Sequence, residues 1–151
     1  MELKKIAKIP FYCFSTETTL TEIGKYVRTK AHELYQGAVN SNLEITGPVY
    51  WVYSGMDGNP TSSFKLEIGI PIHTAKSTTN TDFSCKELPA SSVLSHTHYG
   101  NWNKLADTYT MLFTELSKLG LTHNGICREI YTYIDFNNPE NNCTEVQIGY
   151  L

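Results

Sequence analysis

The order of elements along this 151-residue chain occurs twice, and that repetition narrows its possible folds more than any other feature. "LKKIAKIPFYCFS" reads as a strand, with Pro10 marking an edge or a bulge. "TTLTEIGKYVRTKAHELYQGAVNSN" follows as a helix. Thr19 or Thr21 can cap it, and Glu22 stands three residues after Thr19 as in a capping box. Leu20, Ile23, Val27, Ala31, Leu34 and Ala38 supply its apolar stripe. "GPVYWVYSG" and "SFKLEIGIPI" are strands joined by the turn "MDGNPTS". The order then begins again. "CKELPASSVLSHTHYG" is a strand, and "NWNKLADTYTMLFTELSKLG" is a helix that stops at Gly120. Its stripe is Leu105, Tyr109, Leu112, Phe113, Leu116 and Leu119. "ICREIYTYID" and "CTEVQIGYL" close the chain around the turn "FNNPENN".

One offset of 78 positions aligns the last two strands of each half without a gap. It matches Gly47 with Gly125, Tyr53 with Tyr131, Asn59 with Asn137, Glu67 with Glu145, Ile68 with Val146 and Ile70 with Ile148. The helices do not follow it. The expectation is one α+β domain over residues 1–151, made of duplicated β-α-β-β halves of about 1–80 and 81–151. Each half would carry antiparallel strands and one long helix, with a groove between the halves.

The same offset sets Trp51 against Glu129. Alternation along a strand puts Val49, Trp51 and Tyr53 on one face, and Cys127, Glu129 and Tyr131 on one face. The apolar sets Leu66, Ile68, Ile70 and Val146, Ile148, Tyr150 are expected to meet the helices. The Trp51 and Glu129 faces would then lie on the other side, as walls of one groove. A carboxylate among rings is poorly solvated, which raises its pKa and favours a cationic guest. Ring faces add roughly 0.5–2 kcal/mol each for such a guest. A raised carboxyl can also act as a general acid or base. The plain alternative is a solvated glutamate on a two-sided sheet, where tyrosine is common too.

Other functions find little in the sequence. Net charge is −3 and no Lys/Arg cluster occurs, which argues against direct nucleic-acid binding. His96 and His98 stand two apart with no third ligand nearby, so no metal is expected. Cys13, Cys85, Cys127 and Cys143 lack paired spacing and read as free thiols. Ser91, Ser92 and Ser95 form no nucleophile elbow, and "GMDGNP" is a turn with no helix behind it. No cofactor is expected. The N-terminal stretch has no signal-peptide pattern, and no apolar run is long enough to span a membrane, so the expected location is the cytoplasm.

"LPASSVLSHTHYGNWNKLADTYTMLFTELSKLGL" resembles the GyrI-like small-molecule-binding domain: a proline-initiated strand, an H-x-x-x-G step and an amphipathic helix ending in glycine. "REIYTYIDFNNPENNCTEVQIGYL" is similar to that family's closing hairpin, and "GPVYWVYSG" with "KLEIGIPI" to the matching hairpin of the first half. The ending "TEVQIGYL" departs from the more usual apolar-proline close. The family includes effector-binding halves of AraC-type and MerR-type transcription regulators and stand-alone proteins. The resemblance implies a groove with a central glutamate, here Glu129, that engages cationic aromatic ligands. It places Trp51, Tyr53 and Tyr131 among the pocket aromatics. By position, Tyr99 before Gly100 and Trp102 at the helix start can approach the groove, the alternative for Trp102 being a packed helix-entry residue. No DNA-binding segment precedes the domain in this sequence, which points to a stand-alone binding or sequestering protein. Two alternatives accompany this reading. One is a hydrolase of electrophilic, cyclopropane-type genotoxic compounds that uses Glu129 and Tyr131. The other is a protein-interaction module of gyrase-inhibitor type with a protein partner.

Overall fold

A computed structural model describes residues 1–76, 78 and 82–151. The boundary between the halves expected near residues 80 and 81 lies outside the described residues. Among the described residues, eight strands form one antiparallel sheet: β1 (Glu2–Ile6), β2 (Ile9–Thr18), β3 (Tyr50–Ser54), β4 (Phe64–Pro71), β5 (Ser84–Leu88), β6 (Ser91–Tyr99), β7 (His123–Tyr133) and β8 (Cys143–Tyr150). Two α-helices, α1 (Thr29–Asn40) and α2 (Leu105–Lys118), pack on one side of it. The α+β class read from the repeat is the class observed.

The strand order is β1-β6-β8-β7-β3-β4-β2-β5, which reads the same from either end once each half is matched to the other. The centre is the β3–β7 pair, where Trp51 stands directly opposite Glu129. These are the two positions that the 78-residue offset equates, so the pseudo-two-fold axis passes between them. The halves therefore share one sheet and do not face each other as separate sheets.

The first strand read in each half is in fact two. β1 and β2 break at Ala7–Lys8, and β5 and β6 break at Pro89–Ala90. β1 pairs with β6 and β2 with β5 in one unbroken register, Ile6 opposite Ser91 and Ile9 opposite Leu88. Six strand spacings in a flat sheet would separate β1 from β2 by roughly 29 Å. The two-residue link reaches only about 11 Å. The sheet must therefore curl until its ends adjoin, and its back face becomes an interior. That interior holds Phe11, Cys13, Val52 and Leu88. It is tight enough that a Cβ on Gly69 would come within 2.5 Å of the Phe11 ring. The Pro89 carbonyl, at the break, accepts a hydrogen bond from Arg128 Nη2 at 2.9 Å.

Directly paired residues of an antiparallel sheet share a face. Trp51 is opposite Ile68, and Glu129 is opposite Val146. The Trp51 and Glu129 faces are thus on the helix side, together with Leu66, Ile68, Ile70, Val146 and Ile148, which corrects the expectation that they lay on the opposite side. The helices pack mainly to either side of the central pair. α1 packs mainly on β2 and β4, and α2 on β6 and β8. Leu34 and Ala38 anchor the first helix and Leu112 and Leu116 the second, all essentially inaccessible. The central pair β3–β7 is left as the floor of a groove between the helices.

The second helix follows its sequence pattern closely. The Asn101 side chain accepts from the Asn103 N–H at 3.0 Å and starts a short 3-10 turn, Trp102–Lys104, that leads into α2. Gly120 ends the helix at φ 69°, and the Leu121 N–H returns to the Leu116 carbonyl at 3.1 Å. Leu119, expected in the stripe, is instead 45 % exposed. The first helix does not begin where its stripe begins. Ile23–Tyr26 is a 3-10 turn, Val27 is extended, and Arg28 takes φ 69° with ψ −50°. Non-glycine residues avoid that region at a cost on the order of 1–3 kcal/mol. Thr19 bonds to Thr21 rather than acting as a helix cap, and Glu22 pairs with Lys25. Leu20, Ile23 and Val27 consequently line the groove beside the core instead of continuing a helix.

Candidate functional site

The groove encloses a cavity of about 1760 Å³. Its floor is Trp51, Tyr53, Glu129 and Tyr131 on the central strands. One wall is α2, through Leu105, Tyr109 and Phe113. The other is the start of α1 with the segment before it, and the turns carrying Met56 and Phe136 close the ends. Apolar surface dominates this lining, so a carboxylate within it has little water to solvate it.

Glu129 is 4 % exposed, and three phenols meet its carboxylate. Tyr109 donates to Oε1 at 2.7 Å. Tyr53 donates to Oε2 at 3.1 Å, and Tyr131 donates to the same oxygen. Burial raises the Glu129 pKa above the ordinary carboxyl value, while the three phenol donors and the charge of His98 pull it back. Burial, and then the adjacent carboxylate, push all three tyrosines well above the usual phenol value. The phenols therefore keep their protons and remain donors. Cys127, beside Glu129 on the same face, is pushed to about 12 by burial and by that carboxylate, which leaves it an inert thiol.

The rings form a connected set. Trp51 meets Tyr53 at 6.4 Å and Tyr131 edge-on at 6.2 Å. Trp102 meets Tyr131 edge-on at 5.3 Å and fixes its own indole by donating to Thr144 Oγ1 at 3.1 Å. Such packing holds the ring faces in place around an open volume rather than collapsing into it.

Of the residues picked out in the sequence, Trp51, Tyr53, Glu129, Tyr131 and Trp102 converge on this cavity. Tyr99 does not: it is 78 % exposed and stands outside the lining. Tyr109 fits the buried helix stripe by its spacing, yet it supplies the shortest phenol contact to the carboxylate after Tyr131. The signal was there, since a phenol on a buried stripe needs a partner for its hydroxyl. His123 begins β7, and its ring packs edge-on against Phe113 at 5.0 Å. His98 is held between Thr108 Oγ1 at 2.8 Å and the Asn101 carbonyl at 2.9 Å, so both ring nitrogens are engaged. Among the described residues no three His, Cys, Asp or Glu side chains gather as a metal site. No helix among them is long and apolar enough to cross a membrane.

A family model described as the GyrI-like small molecule binding domain matches residues 1–151. No curated protein sequence matches the chain. Among solved structures, the C-terminal domain of EcmrR superposes with a TM-score of 0.80 at 16 % identity, covering 99 % of this chain and 96 % of that one. SAV2435, solved bound to tetraphenylphosphonium, gives 0.65 at 12 % identity, covering 99 % and 93 %. A hydrolase from Listeria innocua gives 0.67 at 10 % identity, covering 99 % and 91 %. At these identities the likeness is one of fold.

Proposed function

The chain belongs to the GyrI-like small-molecule-binding family, and on that premise we propose that its groove binds bulky aromatic cations. Glu129 is the counter-charge, and Trp51, Trp102 and the three tyrosines are the ring faces around it. One observation carries the reading: a buried carboxylate, fully engaged by phenols, at the base of an apolar cavity large enough for several rings. A cation that enters meets a negative charge already desolvated, so the cost of stripping water from that charge has been met during folding. The phenol donors spread the charge without neutralising it, and the rings add cation–π attraction. SAV2435, a neighbour in fold, is solved with such a cation, which supports the choice of ligand class.

Titration of tetraphenylphosphonium against wild type and Glu129→Gln tests this. Removing one partner of a desolvated charge pair costs at least about 2 kcal/mol, or roughly 30-fold in Kd. Neutral triphenylphosphine oxide should lose much less. Equal losses for both compounds would remove the electrostatic role of Glu129.

The same contact supports a second reading, hydrolysis of electrophilic compounds. A phenol kept protonated beside a carboxyl of raised pKa provides a proton donor and a base in one place. Product formation that disappears in Glu129→Gln while binding of the neutral compound persists would favour catalysis over simple sequestration.

A further inference from the structure

The two halves differ most in what leads into their helices. Ten residues separate β2 from α1, against five between β6 and α2. The longer segment contains Leu20–Arg28, a strap that lines the groove along its α1 side. Its start is tied down by the Thr21 N–H on the Pro60 carbonyl at 3.3 Å. Its far end is held by Arg28, whose guanidinium lies 4.0 Å from the centre of the Phe136 ring. Phe136 belongs to the β7–β8 turn of the other half, so this contact joins the α1 wall to the turn that closes one end of the groove. Arg28 makes no ion pair among the described residues, and it carries the positive φ that breaks the helix. Neither Val27 nor Arg28 is a glycine or proline that would demand a break there. The residue with this unusual backbone is also the one that contacts Phe136.

Phe136 is also the outermost of a run of rings. It meets Trp102 edge-on at 5.9 Å, Trp102 meets Tyr131, and Tyr131 donates to Glu129. A cation travelling from solvent to the carboxylate by this route meets first the ring that Arg28 now covers.

We propose that the face of Phe136 is an outer cation subsite of the groove, that Arg28 occupies it in the free protein, and that this contact holds the Leu20–Arg28 strap shut. The proposal rests on the reading of the groove as a site for aromatic cations. An incoming cation competes with the guanidinium for one ring face and repels it, so ligand charge itself loosens the strap. Neutral ligands of the same shape lack that lever.

Two measurements test it, and the first needs no ligand. Amide hydrogen exchange should be roughly three-fold faster over residues 20–28 in Phe136→Leu and in Arg28→Met, with the β3–β7 amides unchanged. Strap exchange equal to wild type in both variants would overturn the clasp. The second measurement is stopped-flow binding of tetraphenylphosphonium, read by tryptophan fluorescence, since both tryptophans of the chain line the groove. Arg28→Met should associate roughly three-fold faster than wild type, and triphenylphosphine oxide should gain less. Equal or slower association of the cation in Arg28→Met would overturn the competition. No binding of tetraphenylphosphonium to either protein would overturn the cation reading of the groove and the competition with it, while hydrogen exchange still decides whether the clasp exists.

Discussion

The curled interior of the sheet keeps a duplicated ion pair, and the groove face, which keeps Tyr53 and Tyr131, breaks its symmetry at the axis. On the interior side, Lys86 donates to Glu67 at 2.6 Å and Lys4 to Glu145 at 3.2 Å. Glu67 and Glu145 are equivalent by the 78-residue offset. Lys86 and Lys4 are equivalent by their places in β5 and β1, opposite Phe11 and Val93. The same ion pair thus occurs twice, each time joining a lysine of one half to a glutamate of the other. On the groove side, the positions that meet at the axis are a tryptophan and a glutamate. Side chains directly opposite in an antiparallel pair have Cβ atoms about 4.5–5.5 Å apart. Two glutamates there would repel, and one would stay protonated. A symmetric scaffold can offer one full negative charge on its axis only by losing symmetry at that point. Packing tolerates duplication; a site for a singly charged guest does not.

The comparison predicts equal behaviour where the halves are still alike. Leu34 and Leu112 are equivalent helix anchors, each fully buried. Replacing either by alanine should cost about 2–5 kcal/mol. Urea unfolding should give values for the two within about 1 kcal/mol. A much larger gap would show that one helix carries the core and the other rides on it.

At the axis the halves should part company with pH. The carboxyl of Glu129 is raised in the folded state, so its contribution to stability is full below the ordinary glutamate pKa and is lost as pH rises through the raised value. Glu129→Gln lacks that loss. Its melting temperature should therefore gain on wild type as pH climbs through this window and then level off. Cation affinity should move the other way and rise with pH, by up to about tenfold per pH unit (1.4 kcal/mol) while the carboxyl is still losing its proton. Binding titrations in a series of buffers would check both the sign and the plateau. A flat profile would mean that the three phenols hold the carboxyl ionised throughout.

The two interior ion pairs sharpen the comparison on a smaller scale. The Glu67 side chain is 6 % exposed and that of Glu145 is 21 % exposed. Glu145 also accepts from Ser95 at 2.9 Å and Gln147 at 2.6 Å, whereas among the described residues Glu67 has only Lys65 in reserve at 3.9 Å. Lys86→Met should cost about 1–2 kcal/mol and Lys4→Met less than about 1 kcal/mol. Chemical denaturation would rank them.

These contrasts also show what the sequence could reveal. Alternation and the common offset brought Trp51, Tyr53, Glu129 and Tyr131 onto matched faces, because period-two geometry is local. Which side those faces took was not local. It follows from Trp51 pairing with Ile68 and Glu129 with Val146, and from where the helices come to rest. The curl of the sheet depends on the pairing of Ile6 with Ser91, residues far apart in the chain, and no pattern within either segment announces it. Tyr109 was hidden by its own stripe, since its spacing is that of a core residue. The strap was hidden more completely: Leu20, Ile23, Val27 and Ala31 continue the helical period through a segment that is not one continuous helix.

The strap offers the smallest effect and the most direct comparison with its short counterpart. Gly24 lies in its 3-10 turn, outside the positive-φ glycines, and a Cβ built there meets nothing within 4 Å. Gly24→Ala should therefore stabilise by about 0.4–1 kcal/mol, chiefly by restricting the unfolded chain. The segment at the other helix, Trp102–Lys104, contains no glycine and is already capped by Asn101, so it offers no matching gain. Thermal unfolding of Gly24→Ala checks the sign. A rise in melting temperature, together with slower association of tetraphenylphosphonium, would mean that the strap's residual freedom serves ligand entrance. The same rise with unchanged association would place the opening motion at the Arg28 end, beyond the reach of a substitution at position 24.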